Sequence, residues 1–328
     1  MKPNQLFRKS ILIMKNLRRP LFAASMVAVA ALLATAAPAT ATTHGVALDE
    51  LSDTTVYATS YVSAGATATI EGDVLAGLYL TTGAGSTING DAAAVGATTL
   101  GAAASAVDIC SEGATTLGAT ATVTGTVHSG GAFTAGALAD IDEDDVNVGS
   151  ICVPPPAASA AAFKGDLVTA RTAVAGLAPT IPPATNPGPL PGSIASDVTY
   201  TPGVYDVSGL LTIAAGVTIT LDTEGASDAE FIFNISSYLA VGAGVNVEVL
   251  GADADTSVVW NVGSGYVTVG AGANIVGTVM AGSYVSLGAE SSITGPGCYA
   301  GGAAYSLNGY VSLGAAATVG GVNSSCES

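Results

Sequence analysis

Tyr61-Val-Ser-Ala-Gly65-Ala-Thr-Ala-Thr-Ile70-Glu-Gly72 is followed by Tyr79-Leu-Thr-Thr-Gly83-Ala-Gly-Ser-Thr-Ile88-Asn-Gly90. Aligned on the Gly-Ala pair, the two stretches repeat one pattern. The key glycine recurs at Gly101, Gly118 and Gly136, in steps of 18, 18, 17 and 18 residues from Gly65. It returns at Gly242, Gly270, Gly288 and Gly314, in steps of 28, 18 and 26, with Gly216 as a looser member. Self-similarity at such a period marks a repeat architecture.

The period has a physical reading. In Tyr284-Val-Ser-Leu-Gly288, Val285 and Leu287 face one way, and Tyr284 and Ser286 the other. That is the two-residue alternation of a strand. Gly-Ala then turns a corner, and a second short strand follows. It carries Ile70, Ile88, Val123, Ile141, Val247, Ile275, Ile293 or Val319 five residues after the glycine. A further glycine, at 72, 90, 125, 277, 295 and 321, turns the next corner. About 18 residues with two or three short strands predict one coil of a β-solenoid, stacked on its neighbours at about 4.8 Å. The expected fold class is therefore mainly β, a solenoid with a narrow core of Val, Leu, Ile and Ala. A β-sandwich would not keep this register.

Composition agrees. Of 328 residues, 49% are hydrophobic and 10% charged, which excludes a disordered chain. The 42 glycines keep no three-residue period, which excludes collagen. Lys2, Arg8, Lys9, Lys15, Arg18 and Arg19 precede an apolar run from Leu21 to Ala36 and then Ala39-Thr-Ala41. This reads as a secretory signal peptide over 1–41, cleaved after Ala41. The run is short for a membrane span, so no membrane association is expected after cleavage. Beyond the leader only Lys164 and Arg171 are basic, against 25 acidic residues, so the mature charge is 2 − 25 = −23. Nucleic-acid binding is excluded by that balance, and a soluble, monomeric, secreted chain is expected. Four cysteines, Cys110, Cys152, Cys298 and Cys326, allow three disulfide connectivities. Sequence proximity favours Cys110–Cys152 and Cys298–Cys326. Their spacing fits no zinc motif.

Two repeat blocks, at 57–152 and 198–326, are separated by a different segment. After Pro154-Pro-Pro156, residues 157–177 read as an Ala-rich helix, with Phe163, Leu167, Val168, Val174 and Leu177 near helical spacing. Residues 178–197 read as a Pro-rich linker. A lone helix of this length is marginal in water and is expected to pack along a flank of the solenoid. Residues 42–328 are treated as one domain.

Several blocks occur in order in the second half: Thr201-Pro-Gly-Val-Tyr205-Asp-Val-Ser-Gly209, Ile219-Thr-Leu-Asp222, Ala229-Glu-Phe-Ile-Phe233-Asn-Ile235, Val258-Val-Trp260-Asn-Val-Gly263 and Gly277-Thr-Val-Met-Ala281. Together they resemble the large ice-binding-protein family of bacteria, fungi and microalgae. The resemblance implies a discontinuous β-solenoid flanked by one long helix, in agreement with the periodicity. It also implies binding of ice crystals through one flat solenoid face. The chain departs from the family in carrying about five repeat coils between Tyr57 and Cys152 in place of a compact N-terminal segment. Gly295-Pro-Gly-Cys-Tyr299 stands where the family usually places an arginine.

Ice recognition needs a flat, rigid surface of small hydroxyls and methyls at regular spacing. Two ladders qualify. The first lies four residues after the key glycines and comprises Thr69, Thr87, Ser105, Thr122, Asn246, Asn274, Ser292 and Thr318, joined by Thr218 and Thr220. Each glycine-spaced member ends an Ala-x-x-Thr/Ser/Asn tetrad. Some family members use Thr-Ala/Gly-x-Thr/Asn for ice, and here alanine replaces the first threonine. The second ladder lies two residues before the glycine: Ser63, Thr81, Thr99, Thr116, Thr134, Thr268, Ser286 and Ser312. It is flanked by Tyr61, Tyr79, Tyr238, Tyr266, Tyr284 and Tyr310. The first is the preferred site, because tyrosines roughen the second. Outward strand positions also favour Thr without any ligand.

Other chemistry finds little support. Asp142-Glu-Asp-Asp145 reads as a solvated turn more readily than as a calcium site. His128 has no evident catalytic partners, and a carboxylate-lined groove of a polysaccharide-active solenoid is not visible. No enzyme activity, metal or cofactor is expected. The expected partner is an ice surface. The alternative is an extracellular structural or adhesive solenoid whose tyrosine column binds a polymer.

Overall fold

The computed structural model describes residues 51, 53–141, 145–150, 152–180, 192–297 and 301–321. The leader, the acidic run at 142–144, most of the Pro-rich linker, Cys298 and Cys326 lie outside the described residues.

The alternating pattern folds as three parallel sheets of 11, 11 and 10 strands. A full coil gives one strand to each. Val74–Ala76 lies in sheet 1, Tyr79–Thr82 in sheet 2 and Thr87–Ile88 in sheet 3. Sheet 2 and sheet 3 meet at the Gly-Ala corner, and Val285 and Leu287 are buried while Ser286 is half-exposed, as the alternation requires.

The coil order is not the chain order. The first coil, Val56 to Ile70, lies in the middle of the stack. On one side it pairs with the next coil, as in Val56↔Val74. On the other it pairs with the last coil through Val56↔Ala304, Val62↔Val311 and Thr69↔Thr318. The chain thus winds outward to Val146–Val148 at one end and crosses back through the helix. It re-enters at the far end with Ser193–Ile194, Val198–Tyr200 and Gly203–Val207, and winds inward until the last coil meets the first. The two repeat blocks are one solenoid. The Pro-rich segment ends earlier than 197, because Ser193–Ile194 already pairs with Thr212–Ile213.

Coil length sets core size. The longer C-terminal coils enclose a stack of Tyr205, Phe233 and Trp260, with ring separations of 5.3 Å and 4.2 Å. Following the same inward column across the stack gives Trp260, Val279, Ala304, Val56, Val74 and Ala92. The column then continues through Ile109, Val127 and Val146, so the aromatic stack is confined to the coils at the far end of the solenoid.

The corner glycines form a second column. A Cβ on Gly101 would lie 2.5 Å from the carbonyl carbon of Gly83 and 2.8 Å from the nitrogen of Ala84, so backbone fills its place. Gly101→Ala is expected to lower the unfolding free energy by about 1–3 kcal/mol, the usual cost of overpacking. A urea midpoint shifted down at unchanged m-value would show it.

The helix, α1, spans Pro156–Ala175. Its buried stripe is Ala160, Phe163, Leu167, Ala170 and Val174, while Val168 is exposed, contrary to expectation. The stripe packs on the outer side of sheet 1 against Tyr57, Leu75, Ile232, Val259, Met280 and Tyr305. Alanines complete it because aromatic side chains already fill the space; Phe163 meets Tyr57 and Tyr305 at ring distances of 4.6 and 5.2 Å. Both helix ends are tied to the sheet. The Ala157 N–H donates to Glu112 Oε1 at 2.7 Å, giving the first turn an acceptor. At the other end Asn234 Nδ2 donates to the Val174 carbonyl at 3.0 Å, and Arg171 donates to Asn261 Oδ1 and to the carbonyls of Val262 and Gly263.

Cys110 and Cys152 form a disulfide with Cα atoms 6.1 Å apart, joining sheet 1 to the segment that leads into the helix. It closes a separation of 42 residues. The double variant Cys110→Ser/Cys152→Ser is expected to lose about 2–4 kcal/mol. Chemical unfolding of the two oxidised proteins would measure the difference.

Candidate functional site

Three faces are available in principle, and the fold removes one. The helix covers sheet 1, so among the described residues sheets 2 and 3 present the open, regular surfaces.

The first ladder runs without a break along sheet 3. In stack order it is Thr122, Ser105, Thr87, Thr69, Thr318, Ser292, Asn274, Asn246 and Thr218. Thr220 sits one column over, level with Glu248. Every member is half-exposed. Several polar groups are used internally: Asn274 Nδ2 donates to Asn246 Oδ1 at 3.3 Å, and Ser292 Oγ donates to Asn274 Oδ1 at 2.8 Å. The next column carries two carboxylates. Glu248 accepts from Thr220 at 2.9 Å, Glu71 accepts from Asn89 at 2.5 Å, and Asp222 ends a strand of the same sheet.

The second ladder runs along sheet 2 and is also unbroken: Thr134, Thr116, Thr99, Thr81, Ser63, Ser312, Ser286 and Thr268. It continues through Ala240 to Thr212 and Ser193, which the sequence reading did not include. A signal was present in Leu211-Thr-Ile213, which copies Val267-Thr-Val269, but Ala214 replaces the corner glycine there. None of the eleven strands of sheet 2 contains a charged residue.

Five of the six flanking tyrosines are ordered; Tyr79, level with Tyr61 on the next coil, is exposed and lies outside the stack. Tyr238, Tyr266, Tyr284, Tyr310 and Tyr61 form one continuous stack beside the second ladder. Successive ring centroids are 4.9, 4.9, 4.8 and 4.8 Å apart, and ring planes differ by only 9°, 3°, 4° and 5°. Adjacent strands in a sheet usually rotate by about 20–25°. Rings held this nearly parallel over five coils mark a face with little twist. The stack crosses the seam where the last coil meets the first.

Between the ladders lies the corner. Its exposed Ala column includes Ala66, Ala84, Ala102, Ala119, Ala271 and Ala315. The following residue takes positive φ, whether glycine, as Gly272 at 66°, or not, as Thr67 at 54°.

Sequence reasoning saw no carboxylate groove, and the structure does gather one. A cavity of about 740 Å³ at the corner between sheets 3 and 1 is lined by Asp53, Glu71, Asp73, Glu230 and Asp255. Coil stacking brings them together from distant parts of the chain. Among the described residues no Lys, Arg or His lines it. His128 instead contacts Ser150 Oγ at 3.0 Å. Among the described residues no group of His, Cys, Asp or Glu is placed to hold a metal ion, and no helix is long and apolar enough to cross a membrane.

The solved structures most relevant to this arrangement share its fold. An ice-binding protein domain from Shewanella frigidimarina superposes with a TM-score of 0.52 at 20% identity, covering 84% of this chain and 97% of its own. An ice-binding protein from an Arctic yeast gives 0.52 at 20%, covering 85% and 94%. No curated protein sequence matches. The profile of the ice-binding-like family matches residues 111–319. This chain therefore belongs to the ice-binding-like family.

Proposed function

We propose that this protein is secreted, monomeric and binds ice by adsorption, without chemistry, through sheet 2. The observation that carries the reading is the outer surface of that sheet. It is free of charged residues along eleven strands, bears one unbroken row of hydroxyls and methyls, and has little twist over the five coils that carry the stacked tyrosines. Fixed charges hold water in orientations set by the ion, whereas small hydroxyls and methyls at coil spacing leave water free to join a lattice. Sheet 3 has a comparable ladder, but Glu71, Glu248 and Asp222 lie beside it. Family membership supports ice as the ligand, and the leader over 1–41 supports an extracellular site of action.

The adhesive alternative draws less support from the tyrosines. Sugars pack against open ring faces, and the faces within this stack are covered by neighbouring rings. Ice recrystallisation inhibition by the oxidised chain from Thr42 to Ser328 tests the reading. Small grains that persist on annealing are expected; grains that coarsen as in buffer would contradict it.

A further inference from the structure

We infer that the tyrosine stack is itself part of the ice-contacting surface, supplying a second hydroxyl row parallel to the Ser/Thr row. This deepens the assignment of sheet 2 and rests on it.

Three observations carry the inference. The first is spacing. The rings repeat at 4.8–4.9 Å, once per coil, and their planes stay within 9° of one another. Phenol oxygens on rings so aligned recur at the same interval as the Ser/Thr side chains two residues further along each strand.

The second is what the hydroxyls do. Two buried tyrosines use theirs internally: Tyr57 donates to the Ala160 carbonyl at 3.2 Å, and Tyr305 to the carbonyls of Leu51 and Thr54 at 3.0 and 2.7 Å. Among the described residues, the hydroxyls of Tyr61, Tyr238, Tyr266, Tyr284 and Tyr310 have no intramolecular hydrogen-bond partner. Water must satisfy them.

The third is rigidity. A lone surface tyrosine swings about two torsions, and a mobile group cannot template a lattice. Here each inner ring is clamped between two others, so the rotamer freedom that would otherwise be lost on binding is already removed. Stacking therefore turns a bulky residue into an ordered row. On this reading the stacked tyrosines extend the face rather than roughen it. The stack occupies the coils on both sides of the seam, where Tyr61 meets Tyr310 at 4.8 Å.

The test separates hydroxyl from ring. In the triple variant Tyr266→Phe/Tyr284→Phe/Tyr310→Phe the stack remains and three oxygens are gone. Melting temperature and far-ultraviolet circular dichroism should match the wild type. Recrystallisation inhibition should fall on the order of tenfold, since several hydrogen bonds to ordered water are lost together. Should the triple variant melt early, Tyr266→Phe and Tyr284→Phe singly are judged by the same criterion at matched stability. Full activity in a folded Phe variant, while Ser312→Tyr in the neighbouring row abolishes activity, would overturn this inference and leave the sheet 2 assignment standing. A wild type with no effect on ice would overturn both.

Discussion

Trp260→Ala is expected to lower the unfolding free energy by about 3–5 kcal/mol, the range for removing a large buried aromatic. Trp260 is fully buried. Its ring stacks on Phe233 at 4.2 Å and 13°, and its Nε1–H donates to the Val276 carbonyl at 3.0 Å. Removal would open a void beside the aromatic stack and leave that carbonyl without its donor. Trp260→Phe keeps most of the volume and loses only the hydrogen bond. It should cost less, roughly 1–3 kcal/mol. Chemical unfolding of both variants would establish the order. Equal losses would mean that the core there does not depend on the volume of this ring.

Bulk on sheet 2 should abolish ice activity without unfolding the protein. Thr268 and Ser312 are half-exposed members of the second ladder. Thr268→Tyr/Ser312→Tyr places two large, unstacked and mobile rings in a row otherwise built of small groups, breaking its match to the ice. The concentration needed for recrystallisation inhibition should rise by about tenfold or more. Thr87→Tyr/Thr318→Tyr makes the same change on sheet 3 and should leave activity near wild type. The reverse outcome would move the site to the first ladder.

The coil period was legible because it is enforced twice. Corner glycines such as Gly83 and Gly101 have backbone where a side chain would stand, and inward Val, Leu and Ile must alternate with outward residues. Neither constraint tolerates drift. The path of the chain was not legible. Pairing of Val56 with Ala304 spans nearly the whole sequence, and nothing local at either residue announces it. In the helix, low contrast among alanines hid Ala160 and Ala170 and brought Val168 forward in their place. The helix also decides which faces stay open, through contacts with Tyr57, Met280 and Tyr305 that no spacing rule supplies. Both hydroxyl ladders were visible as spaced residues. Glu71 and Glu248, two residues after Thr69 and Asn246, were legible beside the first ladder, whereas the parallel clamping of Tyr266 and Tyr284 appears only when the coils are stacked.

The most direct measurement places the fluorescently labelled, oxidised chain from Thr42 to Ser328 around a single growing ice crystal. Label that concentrates on defined crystal planes, with facets forming as the crystal grows, is the expected result. Label excluded evenly from a rounded, unshaped crystal would contradict ice binding by this solenoid.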